Sequence, residues 1–329
     1  MKSFTNANPR DVAHAVALSA QAHGANRSVS FAGGGSDLLA LVKDRIVAPD
    51  VIVNLKTVKG LDQVAAAPGG LTVGALVTLD ALDRHPVVRR DHAALAEAAG
   101  SVATPQIRNV GTIGGNICQR PWCWYYRNGF PCLKNGGNTC FSANGENQFH
   151  AIFGGGPSYI VHPSDTAPAL VALDATFRVV GPAGERMVPA AEFFILPRDD
   201  AKRENVLAPD EILASVHVPA ARRGTRSTYH KILDREAWTH AVVSAAIVLE
   251  LEGGVCRLAR IVLGGVAPVP WRVPEAERVL VGQRITPELA AQAGEAAVSG
   301  ARPLAKNGYK VPLTRNLVRR TLVELAARA

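Results

Sequence analysis

No apolar run in this 329-residue chain approaches the ~20 residues that a membrane-spanning helix needs. The opening Met1-Lys2-Ser3-Phe4 lacks the apolar core of an export signal. The expected compartment is therefore the cytoplasm, without direct membrane insertion, or the periplasm if a partner's signal carries a folded complex across. Charge is sparse as well: Asp, Glu, Lys and Arg make up 19% of the residues, below the usual soluble share. The net charge is +8, but the basic residues are scattered in pairs such as Arg89-Arg90, Arg222-Arg223 and Arg319-Arg320, with no long basic tract. That pattern speaks for a solvated surface, or for an anionic cofactor or acidic partner subunit, and against nucleic acid. There is no C-x2-C pair, no G-x-G-x-x-G opening a βαβ unit, no internal repeat and no low-complexity segment.

What the chain does have is concentrated. Pro105 to Asn116 contains Gly111, Gly114 and Gly115, where a backbone without Cβ can approach a ligand closely. Directly after it come Cys118, Cys123, Cys132 and Cys140, four of the five cysteines, spaced C-x4-C-x8-C-x7-C. The chain then resumes with His162-Pro163-Ser164-Asp165. These features read as two halves of one cofactor site separated by an inserted metal-binding loop.

The length accommodates two or three domains, and an apolar content of 47% is ample for their cores. Residues 9–24 read as a helix that Pro9 opens and Gly24 closes. Residues 28–32 form a strand running into Gly33-Gly34-Gly35-Ser36-Asp37, and residues 38–43 form a helix. Free backbone N–H groups converge at such a turn, which makes it a candidate anion cradle, although a triple glycine can be a turn and nothing more. Further strands are expected at 51–55, 71–75, 175–180, 188–194 and 211–218, with helices at 79–85 and 93–99. A boundary at 219–224 precedes strands at 227–232, 241–252 and 255–263, and helices within 273–299 and 313–328. The overall class is α+β.

Clustered thiols in a chain of this length indicate metal or redox chemistry rather than a disulfide framework. Structural zinc sites usually show two close cysteine pairs, and none is present here. An iron–sulfur cluster tolerates wider spacing. Trp122, Trp124, Tyr125, Tyr126, Phe130 and Phe141 crowd the loop and are suited to excluding water from a cluster. Arg120, Arg127 and Lys134 are expected to offset thiolate charge. Spacing alone leaves zinc, disulfides and incidental thiols open. Cys256, inside an expected strand, reads as a small buried hydrophobe.

These motifs, in this order, resemble the FAD-binding subunit of the xanthine dehydrogenase (molybdenum hydroxylase) family. Phe31-Ala32-Gly33-Gly34-Gly35-Ser36-Asp37-Leu38 resembles its first flavin loop, and Thr112-Ile113-Gly114-Gly115-Asn116 its second. The Lys231–Arg235 stretch and Gly264 to Arg272 resemble its C-terminal domain. His162-Pro163-Ser164-Asp165 stands where the family has an S-P-x-x-D-like turn, displaced by roughly 40 residues. That displacement is similar to the branch whose flavin subunit carries an extra [4Fe–4S] loop, typified by 4-hydroxybenzoyl-CoA reductase and periplasmic aldehyde oxidoreductase.

The resemblance implies a two-part FAD-binding domain of the PCMH/VAO type, residues 1–60 and 61–220, with the iron–sulfur insertion at about 117–160. A sheet-plus-helices domain of the CO dehydrogenase flavoprotein type follows at 221–329. It further implies that residues 31–38, Gly111, Thr112, Gly114, Gly115 and Asn116 wrap the FAD diphosphate, with Ser36 and Thr112 adding hydroxyls. Asp165 accepts from the flavin or fixes the loop, and His162 and Lys231 are candidates near the flavin ring. Cys118, Cys123, Cys132 and Cys140 would ligate the cluster. The implied partners are a large molybdenum-cofactor subunit, a small subunit with two [2Fe–2S] clusters, and an external electron acceptor or donor. Two other readings are a self-contained FAD oxidoreductase and a zinc-stabilised binding module.

Overall fold

The computed structural model describes residues 2–236 and 239–327. Arg328, the last residue of the expected C-terminal helix, lies outside the described residues. Three sheets follow one another along the chain. The first is parallel, from β1 (Thr5–Ala7), β2 (Val29–Ala32) and β3 (Val51–Asn54), in the order β1-β3-β2. The helix Val12–Gly24, capped by the Asp11 carboxylate on the His14 N–H, lays Ala15, Val16 and Ala22 on Val51 and Val53.

The second sheet is antiparallel, in the order β4 (Val64–Ala67), β5 (Gly70–Gly74), β8 (Ile212–Pro219), β6 (Thr176–Gly181), β7 (Gly184–Pro189). A tight hairpin at Gly181–Gly184 joins β6 to β7. The strand expected over 188–194 ends earlier: Ala190–Phe193 is a helical turn that drives Phe193 into the core against Phe177. Pro189, which lacks an N–H for the ladder, marks the change.

The third sheet is antiparallel, in the order β12 (Trp271–Arg272), β11 (Val255–Gly264), β10 (Val243–Glu252), β9 (Thr225–Ile232). Seven successive residues of β10 are buried, because both faces of the sheet are covered. Val243, Ala245, Ile247 and Leu249 point to the helices Pro274–Leu280, Pro287–Val298 and Lys310–Ala327, while Ala246 and Val248 point to the middle of the molecule. This is the period-2 alternation of a strand serving two cores at once. The helix Ala93–Gly100 joins the second and third sheets: its Glu97 carboxylate accepts from the Thr228 hydroxyl and the Tyr229 N–H, both at 2.7 Å. Cys256 is fully buried in the third core, as expected.

Candidate functional site

The two glycine loops press on each other. A Cβ on Gly34 would stand 1.9 Å from the Val110 carbonyl oxygen, and one on Gly33 would stand 2.9 Å from the Thr112 hydroxyl. Gly35 has φ +77°, a left-handed conformation that side chains rarely adopt. The triple glycine is therefore required by the contact between the loops as well as by the turn. Thr112 caps the short helix Ile113–Ile117 through the Gly115 N–H. Among the described residues, no protein carbonyl accepts from the N–H groups of Gly34, Gly35, Ser36 or Asp37.

Two cavities open on either side of this contact. The smaller, about 290 Å³, is lined by all of Phe31 to Leu38, with Thr112, Gly114, Gly115 and Cys118. The larger, about 510 Å³, is lined by Gly111, Thr112, Asn116, Trp122, Asp165 and His240 among others. Ser36, Asp37, Thr112, Gly115 and Gln119 border both, so the two form one elongated cleft. These volumes are near the ~300–1,000 Å³ usual for ligand sites. A separate cavity of about 470 Å³ between β9 and the last helix has mostly apolar walls and few converging polar groups.

The displaced turn returns to the cleft. Asn116 Oδ1 accepts from the Ser164 hydroxyl (2.6 Å) and the Thr166 hydroxyl (2.7 Å), clasping the second glycine loop to the turn across the whole cysteine insertion. Asp165 forms part of the cavity wall, and its carboxylate accepts from Tyr229 Oη (2.6 Å) and Lys231 Nζ (2.7 Å). Burial, and then the negative Asp165, push the Tyr229 phenol up, so it stays a donor. Lys231 also donates to the Ser101 carbonyl and has a side chain only 3% exposed. It stands behind Asp165 as its counter-charge, not in the cleft wall. His162 likewise stands behind the turn: it is buried, accepts from the Ser164 N–H, and meets Phe194 edge-on at 4.8 Å. Burial pushes it down to about 3, so the ring is neutral.

Gln119, Thr239 and His240 also line the larger cavity without any motif pointing to them; Arg235, from the stretch that resembles the family's C-terminal domain, and Trp122, expected to shield a cluster, line it too. Trp122 is 44% exposed, with the Arg127 guanidinium 4.2 Å from its ring and the His240 ring at 5.4 Å.

The cysteine loop is held by ion pairs rather than by charge on sulfur. Arg127 donates to Asp37 at 2.7 Å, and the Arg120 N–H also donates to Asp37. Arg120 and Lys134 both pair with the buried Glu204. The expectation that Arg120, Arg127 and Lys134 neutralise thiolates is thus corrected: carboxylates from the first two sheets' domains take all three. At its far end the loop is tied to the C-terminal domain, where Lys310 donates to Phe149 O (2.9 Å) and Asn307 to His150 O (3.0 Å).

Inside the loop, Cys123, Cys132 and Cys140 line one closed cavity of about 10 Å³ with Ser142 and Ser158. Tyr125, Phe130 and Phe141 enclose it, with ring centroids 5.2–6.0 Å apart. His150 Nε2 is 3.3 Å from Cys123 Sγ, and Ser142 Oγ is 3.1 Å from Cys140 Sγ. Burial pushes the Cys123 thiol up to about 11. Cys118 is elsewhere: it ends the Ile113–Ile117 helix and borders the glycine-loop cavity, where burial pushes its thiol up to about 12. All five cysteines are free. Among the described residues, no three His, Cys, Asp or Glu side chains converge closely enough to hold a single metal ion.

Comparison with known proteins closes the assignment. The family described as "FAD binding domain in molybdopterin dehydrogenase" matches residues 2–221, and "CO dehydrogenase flavoprotein C-terminal domain" matches 228–325. The FAD-binding subunit PaoB of an Escherichia coli aldehyde oxidoreductase is 33% identical over 100% of both chains. The medium chain of Hydrogenophaga pseudoflava carbon monoxide dehydrogenase is 28% identical over 95% of this chain and 94% of that one. Among solved structures, carbon monoxide dehydrogenase from Hydrogenophaga pseudoflava superposes with a TM-score of 0.77 at 27% identity, covering 98% of this chain and 96% of that chain. Quinoline 2-oxidoreductase from Pseudomonas putida 86 superposes with 0.77 at 25%, covering 99% and 98%. The chain belongs to the FAD-binding subunits of the xanthine dehydrogenase/CO dehydrogenase family of molybdenum hydroxylases.

Proposed function

We propose that the cleft holds FAD, that the cysteine loop holds a [4Fe–4S] cluster, and that the chain passes electrons between a molybdenum/[2Fe–2S] pair of subunits and an external partner. The observation that carries this reading is the clasp of Asn116 on Ser164 and Thr166, which rebuilds one cleft from two halves and leaves the thiol pocket beside it. FAD would exchange electrons in pairs on one side and singly on the other; the protein sets its position and potential. The unengaged N–H groups of residues 34–37 form a nest suited to the diphosphate, with the Ser36 and Thr112 hydroxyls at its edge. Asp165, fixed by Tyr229 and Lys231, would accept from a flavin N–H or hydroxyl in the wider cavity. Trp122, braced by Arg127, would cover one side of that cavity and limit water.

The pocket's donor set fits a cluster better than a single zinc ion. Three thiols share one aromatic-walled cavity with donors on two of the sulfurs, yet they do not converge as a zinc site's ligands do. A cluster of four irons is larger and spreads its thiolates more widely. Among the described residues, both carboxylates that line the wider cavity are engaged, Asp37 by Arg127 and Asp165 by Tyr229 and Lys231, and burial pushes His240 down, which disfavours a self-contained oxidoreductase. The test is to purify the chain alone and in its native complex, then mix each with substrates of the assembled enzyme. The flavin should bleach only in the complex; bleaching of the isolated chain by substrate would overturn the reading.

A further inference from the structure

The thiol pocket shows three cysteines where a four-iron cluster has four corners. Cys118 does not supply the fourth, because it borders the glycine-loop cavity. The other polar side chains lining the pocket are Tyr125, Tyr126, Lys134, Ser142 and Ser158; Lys134 is paired with Glu204, Tyr125 Oη accepts from the Glu146 N–H, and the Tyr126 ring lies under Arg120, which leaves the two serines. Ser142 lies two residues from Cys140 with its hydroxyl on that sulfur, as His150 has its ring nitrogen on Cys123. Each of these two side chains is thus already engaged with a sulfur. Ser158 comes from a separate segment, is 3% exposed, and faces the same cavity as the three thiols.

Resting on the cluster reading above, we propose that this is a three-thiolate centre of Cys123, Cys132 and Cys140 whose fourth corner is met by the Ser158 hydroxyl, and that Cys118 belongs to the flavin cleft. Ligation by Ser158 exchanges its O–H bond for an Fe–O bond and releases one proton. Oxygen is a harder ligand than thiolate, so the iron at that corner is the one most readily lost. One electron taken by ferricyanide, followed by release of one Fe²⁺, converts a [4Fe–4S]²⁺ cluster into an all-ferric [3Fe–4S]⁺ cluster with its own EPR signal.

The experiment uses the full-length chain purified anaerobically, with iron analysis and low-temperature EPR before and after ferricyanide. Flavin absorbance reports folding in each variant. The wild-type protein should lose about one iron in four and develop the three-iron signal. Ser158→Cys should keep its iron and show little of that signal. Cys132→Ser should lose most of its iron, whereas Cys118→Ser should keep the wild-type amount. Iron loss in Cys118→Ser matching Cys132→Ser, or an unchanged three-iron signal in Ser158→Cys, overturns this assignment while leaving the cluster reading intact. A flavin-loaded wild-type chain without iron overturns both.

Discussion

Arg120 lines the cleft and lies over the Tyr126 ring of the pocket wall, yet cleft and pocket are built differently. The cleft is open, about 510 Å³ on its wider side, with backbone donors at its edge that no protein carbonyl engages. The pocket is shut, about 10 Å³, with the Cys123 and Cys140 sulfurs already engaged and aromatic rings closed over it. The first is a preformed site that a cofactor enters with little rearrangement. The second would have to open and lose thiol protons to take up a metal, so any such uptake would release protons and depend on pH. Arg127, from the cysteine loop, braces the cleft: it binds Asp37 of the first glycine loop and lies on Trp122.

That contrast can be broken from either side. The largest effect should come from Lys231→Met, which leaves the Asp165 carboxylate buried with only Tyr229 as partner. Removing one member of a buried pair costs about 3–5 kcal/mol. The thermal unfolding midpoint should fall sharply, and adding Asp165→Asn should restore part of it; an unchanged midpoint means the pair is not buried as described. Gly34→Ala comes next. Its Cβ would overlap the Val110 oxygen, so the loops must part at a cost of about 3 kcal/mol. Flavin should be lost while iron stays. Equal loss of both would erase the distinction between the two regions.

The smallest effect is a pH dependence seated behind the cleft. Burial holds His162 at about 3, against an ordinary value of 6.5. Below pH 6.5 the unfolded chain binds a proton that the folded chain refuses, so stability is fully present above that pH and falls as the pH drops. The slope from this residue is about 1.4 kcal/mol per pH unit. His162→Gln should flatten the acid limb of a denaturant-midpoint profile between pH 4 and 6; an identical limb would show that other groups govern it.

The glycine loops, the displaced turn and the third sheet were legible because each rests on local chemistry: glycine turns, a short motif, strand alternation. The ion pairs of Glu204 with Lys134 and Arg120 were not, since charge in a loop says nothing of a carboxylate 70 and 84 positions away. Cys118 was grouped with its neighbours because linear spacing carries no side-chain direction. Only the helix Ile113–Ile117 turns it to the cleft. The same limit hid His240, which reaches the cavity from the connection between β9 and β10. Pro189 signalled the end of β7, but the pull of Phe193 into the core is a tertiary effect.

The most direct measurement is iron, zinc and FAD content of the anaerobically purified chain, with EPR after dithionite reduction. The account predicts one FAD and a reduced iron–sulfur signal from the cysteine loop, without zinc. FAD without iron would keep the cleft and remove the cluster, and zinc in place of iron would contradict the reading of the pocket.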